Sequence, residues 1–158
     1  MISSFGFLAL RLCVGVLLIH HGFEKLNDID NFAEAFVRPL HLPFPITLSY
    51  LAAFSEIGGS WMLITGLGVR FGALAILGTM SVAIYHAISI NGFNIYLLEL
   101  LGLYWGGALC LALNGGGKFS IDYLIARSYQ LLASNVQSMQ WTDNAIIPRR
   151  AQITVKNP

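Results

Sequence analysis

Four long apolar stretches dominate the sequence, and they constrain the fold more than any other feature. They run approximately over residues 5–23, 46–66, 69–90 and 94–113. Each is close to the roughly 20 residues that a helix needs to cross a hydrocarbon layer about 30 Å thick. A chain inside lipid must satisfy its own backbone hydrogen bonds, which favours helices. The sequence therefore predicts an all-α protein, a four-helix transmembrane bundle.

The composition agrees with a membrane protein and excludes several classes of function. The chain is 56% hydrophobic and 11% charged, with a net charge of +1, whereas soluble domains carry about 25% charged residues. It has no basic field for nucleic acid. It also has no glycine-rich nucleotide loop and no cysteine cluster of the kind that holds a metal or an iron–sulfur cluster. We expect the lipid bilayer as a partner, no nucleic acid, no metal site and no intrinsic cofactor.

The segments between and after the stretches predict two further helices. The first connection, residues 24–45, has apolar residues at helical spacing and ends in three prolines. It predicts a short amphipathic helix lying on the membrane surface. The other two connections are short, so the helices that they join are antiparallel neighbours. Ser120 is a suitable N-cap for a C-terminal helix over residues 121–133, which would lie in the membrane interface.

The predicted domains are a four-span membrane domain over residues 1–122 and a cytoplasmic part over residues 123–158, which holds the interfacial helix and a mobile polar tail.

The basic residues predict the orientation of the helices in the membrane. Only Lys25 and Arg38 lie on the side of the first connection. The others lie on the side of both termini: Arg70, Lys118, Arg127, Arg149, Arg150 and Lys156. Because basic residues are enriched on the cytoplasmic side, we expect both termini in the cytoplasm.

Ionisable residues inside the stretches mark the candidate site, because a charge at bilayer depth is costly. Arg11 and Glu56 both fall near the middle of the membrane, counted along helices that rise about 1.5 Å per residue. We therefore predict a buried ion pair between the first and second helices. Such a pair is equally compatible with a purely structural role. On a helical wheel, Lys25 shares the face of Arg11.

Three further polar residues, His21, His86 and Glu99, fall closer to the outer boundary. On the helical wheel His21 lies toward the inner face and His20 points away from it. We predict that His21, His86 and Glu99 converge on one small cavity between the first, third and fourth helices. The simpler alternative is that each of them meets water and lipid headgroups. A haem held between His86 and His20 or His21 is conceivable but has less support.

These residues lie in segments that resemble the DoxX family of small bacterial and archaeal membrane proteins. The resemblance covers about residues 5–122. Its motifs are Arg11 with His21-Gly22-Phe23-Glu24-Lys25-Leu26, then Pro43-Phe44-Pro45, Glu56-Ile57-Gly58-Gly59, Leu98-Glu99-Leu100 and Gly115-Gly116-Gly117-Lys118-Phe119-Ser120-Ile121-Asp122. The family includes relatives of the small subunit of thiosulfate:quinone oxidoreductase and proteins associated with defence against quinone, catechol and thiol-oxidant stress.

The resemblance implies a multi-pass protein of a bacterial or archaeal cell membrane, acting as the quinone-facing subunit of an oxidoreductase that needs other protein subunits. The quinone would be its substrate. His21, Glu99 and His86 would then be catalytic proton donors, and Arg11, Glu56 and Lys25 would contact the substrate. Two alternatives remain open. One is a membrane scaffold that anchors soluble stress-defence enzymes, and the other is a small-molecule or proton carrier.

Overall fold

The computed structural model describes residues 2–90 and 92–134, and within these ranges it consists of helices and turns without strands. Helix α1 (Ile2–Asn27) is followed by a short helix α2 (Ile29–Phe32), which continues as a π-helical turn (Ala33–Val37) and a 3-10 turn (Arg38–Leu40). The remaining helices are α3 (Pro45–Thr65), α4 (Val69–Ile90), α5 (Ile95–Asn114) and α6 (121–134). The predicted all-α class is confirmed.

Three helices of the described chain are long and apolar enough to cross a membrane, namely α1, α4 and α5. Helix α3 is equally long, with 21 residues. It carries Glu56 together with several serines and glycines, and it contains no 18-residue stretch as apolar as those of the other three. Its composition alone therefore does not identify it as the fourth span that the sequence analysis expected.

The long helices pack in chain order, α1 on α3, α3 on α4 and α4 on α5, and α5 also contacts α1. Small residues bring their backbones close together. A Cβ at Gly22 of α1 would lie 2.6 Å from Ile57 Cγ1 on α3, and one at Gly59 of α3 would lie 2.8 Å from the carbonyl oxygen of Gly72 on α4. Close approach at small residues is how helices associate in lipid, where burial of apolar surface contributes little.

The turn between α3 and α4 is held by Asp122. Its carboxylate accepts hydrogen bonds from the amides of Gly68 at 2.7 Å and Val69 at 3.0 Å, at the start of α4. Its own amide donates to the carbonyl oxygen of Gly66 at 3.0 Å. These bonds satisfy amide groups that a helix N-terminus leaves without partners. We call the end of the bundle that holds the turn between α3 and α4 the turn end. The opposite end, beside residues 24–45, is called the connection end.

Helix α6 begins where the sequence predicted it, since Ser120 Oγ accepts a hydrogen bond from the amide of Tyr123 at 3.2 Å. The compact unit that contains α1 to α5 ends at Tyr123. The described residues after it, 124–134, are helical and belong to a second unit. Their exposed apolar side chains include Leu124, Tyr129 and Leu132. The polar tail predicted to be mobile, from residue 135 onward, lies outside the described residues.

The connection between α1 and α3 consists of short helical segments that pack in part on α3. Asp28 caps α2, and its Oδ1 accepts a hydrogen bond from the amide of Asn31 at 3.2 Å. The π-helical turn then buries Ala33 and Val37 against α3. Because α3 folds back beside α1, this part of the connection packs on protein. The predicted position on the membrane surface stays a prediction.

Candidate functional site

A cavity of about 620 Å³ lies at the connection end, among α1, the connection, α3, α4 and α5. Its walls are mostly aliphatic and aromatic. The lining also includes the side chains of His21, Lys25, Glu56 and His86. This volume falls within the range of roughly 300–1,000 Å³ that is usual for sites that enclose a small organic molecule.

Glu56 forms an ion pair with Lys25 at the polar side of the cavity. The Lys25 ammonium donates a hydrogen bond to Glu56 Oε1, and Glu56 itself is completely buried. The ammonium also lies 5.1 Å from the ring centroid of Phe32, within cation–π distance. The second carboxylate oxygen, Oε2, is buried and has no hydrogen-bond partner among the described residues. The ion pair therefore leaves one acceptor available to a ligand or to water.

The predicted ion pair between Arg11 and Glu56 is wrong. Helical side chains lean toward the N-terminus of their own helix, and α1 and α3 run in opposite directions. The Arg11 side chain therefore extends toward the turn end, whereas that of Glu56 extends toward the connection end. Lys25 lies about four turns of helix nearer to the connection end than Arg11, on a similar face of α1. It supplies the positive charge that pairs with Glu56.

Arg11 lies outside the cavity, so a direct contact with a ligand there is not supported. It is 1% exposed and donates a hydrogen bond from Nη2 to the carbonyl oxygen of Phe119 at 3.0 Å. A Cβ at Gly66 would overlap its guanidinium, so that only glycine fits there. Gly66 also has φ of +79°, which favours glycine independently. The guanidinium thus joins α1 to the two loops of the turn end.

His86 of α4 is the most enclosed histidine of the cavity, with 6% of its surface exposed. Its ring packs against Phe36 of the connection, with 5.2 Å between the ring centroids. Its Nε2 atom is buried and lacks a hydrogen-bond partner among the described residues. Buried polar atoms nearly always have a partner, either protein or an ordered water. His86 and Glu56 therefore both present an unsatisfied polar atom in the same cavity.

His21 of α1 lines the cavity and is half-buried, whereas His20 is exposed, in agreement with the helical-wheel prediction. His21 Nδ1 lies 3.2 Å from Glu24 Oε2. These two residues also line a smaller pocket of about 300 Å³ beside the cavity. Donor atoms of His20, His21 and Glu24 lie within 4.8 Å of one another, which is a possible metal-ligand geometry. The three residues are largely exposed, and His21 and Glu24 already form a hydrogen bond with each other.

Glu99 does not join the two histidines, and the predicted convergence of all three residues is wrong. Glu99 is exposed and lies outside the cavity. The face of α5 that lines the cavity consists of Leu97, Leu100, Leu101 and Tyr104. Glu99 is about 100° around the helix from Leu100 and about 200° from Leu97 and Leu101, so it lies outside this face. Similar depth in the membrane led to the prediction that Glu99 lies in the cavity, but its angular position on α5 excludes it.

One wall of the cavity was not predicted from the sequence. Phe32, Phe36, Val37 and Leu40 of the connection all contribute to the lining. The sequence does contain a pattern that could have indicated this wall. These residues recur at helical spacing in a segment that also contains three prolines. The apolar face of the connection was predicted to contact lipid. A neighbouring helix could cover the same face equally well.

Comparisons with known proteins identify the family of the chain. The DoxX family model matches residues 6–89, which include His21, Lys25, Glu56 and His86 but not Glu99. A protein of Haemophilus influenzae, described as uncharacterized, is 34% identical over 137 residues, covering 80% of this chain and 87% of the relative. No solved structure gives a significant match.

Proposed function

The chain belongs to the DoxX family of membrane proteins, and from this premise we propose that it is the quinone-binding membrane subunit of a redox complex. The quinone head group would occupy the polar side of the cavity. One observation carries the proposal: two buried polar atoms without partners among the described residues, Glu56 Oε2 and His86 Nε2, belong to side chains of one largely apolar cavity. Apolar walls with a few polar groups are typical of sites for such ligands.

The chemistry of the site fits the reduction of a quinone to a quinol. That reaction takes up two electrons and two protons, and charge develops on the two carbonyl oxygens. The Lys25 ammonium would stabilise negative charge on one oxygen, and the imidazole of His86 would donate a hydrogen bond and then a proton to the other. Glu56 would relay a proton through its free oxygen. The electrons would come from a partner subunit.

The proposal includes a fourth membrane crossing by α3, for which the distribution of its side chains gives support. Its polar residues Ser49, Glu56 and Ser60 are completely buried, whereas Phe54 and Trp61 are more than half exposed. A helix in water shows the opposite pattern. Polar residues inside and large apolar residues outside are expected where the surroundings are lipid.

We further propose that the connection end faces outward and both termini face the cytoplasm of a bacterial cell. Arg70 and Lys118 lie at the turn end, and Arg70 Nη2 donates a hydrogen bond to the carbonyl oxygen of Leu113 at 3.3 Å. Cytoplasmic loops are enriched in such basic residues. The cavity would then lie in the outer half of the membrane.

The function is tested by binding of a tail-free benzoquinone to the protein purified in mild detergent. We expect wild-type protein to bind, and Glu56→Gln and His86→Leu each to weaken binding by about tenfold, as the loss of a buried hydrogen bond does. The exposed His20→Ala serves as the matched control and should change the affinity by less than about twofold, because His20 does not line the cavity.

Absence of binding to the folded wild-type protein would reject the proposal, as would unchanged binding by both cavity variants. If soluble enzymes then co-purify with the protein, the scaffold hypothesis is favoured. If the protein instead produces substrate-dependent flux in liposomes, the carrier hypothesis is favoured.

A further inference from the structure

The cavity is lined in part by side chains that also reach the outer surface of the bundle. Leu51 of α3 and Leu74 and Val82 of α4 line the cavity, yet each is at least half exposed. In the proposed topology that surface faces lipid. A residue that contributes both to a cavity wall and to the lipid-facing surface marks a place where the cavity opens sideways. This opening lies between α3 and α4.

The opening is bordered by small residues. Ala52 and Ser55 of α3 and Gly78 of α4 line the cavity between the larger side chains. Gly78 is exposed, and a Cβ built on it would have no atom within 4 Å. Helix packing therefore does not require glycine there, although glycine weakens a helix relative to alanine. We call this surface the side groove, defined by Leu51, Ala52, Ser55, Leu74, Gly78 and Val82.

The side groove is continuous with the polar site, since all of its residues and the pair Glu56 and His86 line one cavity of about 620 Å³. A single six-membered ring placed against Glu56 and His86 would fill only part of this volume. The remaining space is apolar and leads toward the lipid-facing surface. It is suited to an aliphatic chain and poorly suited to water, because it offers few polar partners.

We propose that the side groove holds the apolar tail of the molecule whose head group binds at Glu56 and His86. The substrate class is then a tailed, lipid-soluble quinone that reaches the site sideways from the bilayer, and Gly78 determines this specificity by leaving room for the tail. This inference rests on the proposed function and deepens it, because a tail-free quinone would satisfy the polar site alone.

The test compares two ligands with the same benzoquinone ring, one tail-free and one with a decyl chain, in lipid nanodiscs with affinities expressed per mole of lipid. Gly78→Leu fills the groove without touching the polar site. We expect it to weaken binding of the decyl compound by about tenfold, the size of effect that overpacking produces. Binding of the tail-free compound should change by less than about twofold. Gly102→Leu on α5 is the matched control, since Gly102 is equally open and lies outside the cavity.

Unchanged binding of the decyl compound to Gly78→Leu would overturn the inference while leaving the proposed function intact. Equal loss of both compounds would overturn it too, because the groove would then not be a separate tail site. Failure of the tail-free compound to bind wild-type protein rejects the proposed function instead. Photo-crosslinking with a diazirine on the decyl chain should label α4 near Gly78. Labelling of the same residues by a phospholipid analogue that the decyl quinone cannot displace would assign the groove to a lipid chain and overturn the inference.

Discussion

Lys25 near the end of α1 and Glu56 in the middle of α3 form a buried ion pair although 31 residues separate them. The Lys25 side chain retains 18% exposure, and that of Glu56 only 1%. The pair joins the first two long helices at the point where the cavity begins.

Removal of Lys25 should destabilise the protein because it leaves Glu56 buried without a counter-charge. We expect Lys25→Ala to lower the free energy of unfolding by about 3–5 kcal/mol, as for other buried pairs that lose one partner. The measurement is denaturant unfolding in micelles. The exposed pair of Arg38 and Glu34 provides the control, and Arg38→Ala should cost at most about 1 kcal/mol.

A double-mutant cycle separates this pair from the one that the sequence suggested. Lys25→Met combined with Glu56→Gln should show coupling, whereas Arg11→Gln combined with Glu56→Gln should be additive within about 0.5 kcal/mol. Strong coupling between Arg11 and Glu56 would contradict the arrangement of the two side chains at opposite ends of the bundle.

Loss of the Asp122 carboxylate should weaken the turn between α3 and α4. Asp122→Ala leaves the amides of Gly68 and Val69 without their acceptor, and we expect a loss of about 0.5–2 kcal/mol, as for other N-cap substitutions. Thermal unfolding in detergent measures it. Asp30→Ala, at an exposed position of the connection, should have little effect. Equal stability of both variants would argue against the capping role.

The orientation can be checked by labelling single cysteines introduced after replacement of Cys13 and Cys110 by serine. Asp30→Cys and Lys118→Cys are both exposed positions, at opposite ends of the bundle. A membrane-impermeant maleimide should label Asp30→Cys in intact cells and Lys118→Cys only after permeabilisation, because basic residues favour the cytoplasmic side. The reverse pattern would place the cavity on the cytoplasmic side.

Substitution of Glu99 distinguishes the site in the cavity from the site of His21, His86 and Glu99 that was predicted from the sequence. Because it is exposed and points away from the cavity, Glu99→Gln should change quinone affinity by less than about twofold, as is usual for surface substitutions. His86→Leu should weaken binding measurably in the same titration. A large effect of Glu99→Gln with no effect of His86→Leu would support the three-residue site that the sequence suggested.

The sequence by itself determined the helical class, the approximate bounds of the long helices and the family. Runs of apolar residues near 20 in length permit few structures other than helices. It also identified His21 as the inward histidine, because the angle between neighbouring residues on a helix is fixed at about 100° whatever surrounds them. Ser120 was recognised as a cap for the same reason, since capping depends on residues adjacent in the chain.

Only the tertiary structure decided which charges meet. Arg11 and Glu56 have similar depth when measured at the backbone, but their side chains lean in opposite directions because α1 and α3 are antiparallel. Glu99 has the depth of the histidines but not their direction, since the rotation of α5 about its axis depends on how Leu97, Leu101 and Tyr104 pack. The connection folds over the cavity because α3 offers it an apolar surface. Each of these outcomes depends on contacts between segments that are distant in the chain. The helical periodicity of a single segment carries no information about such contacts.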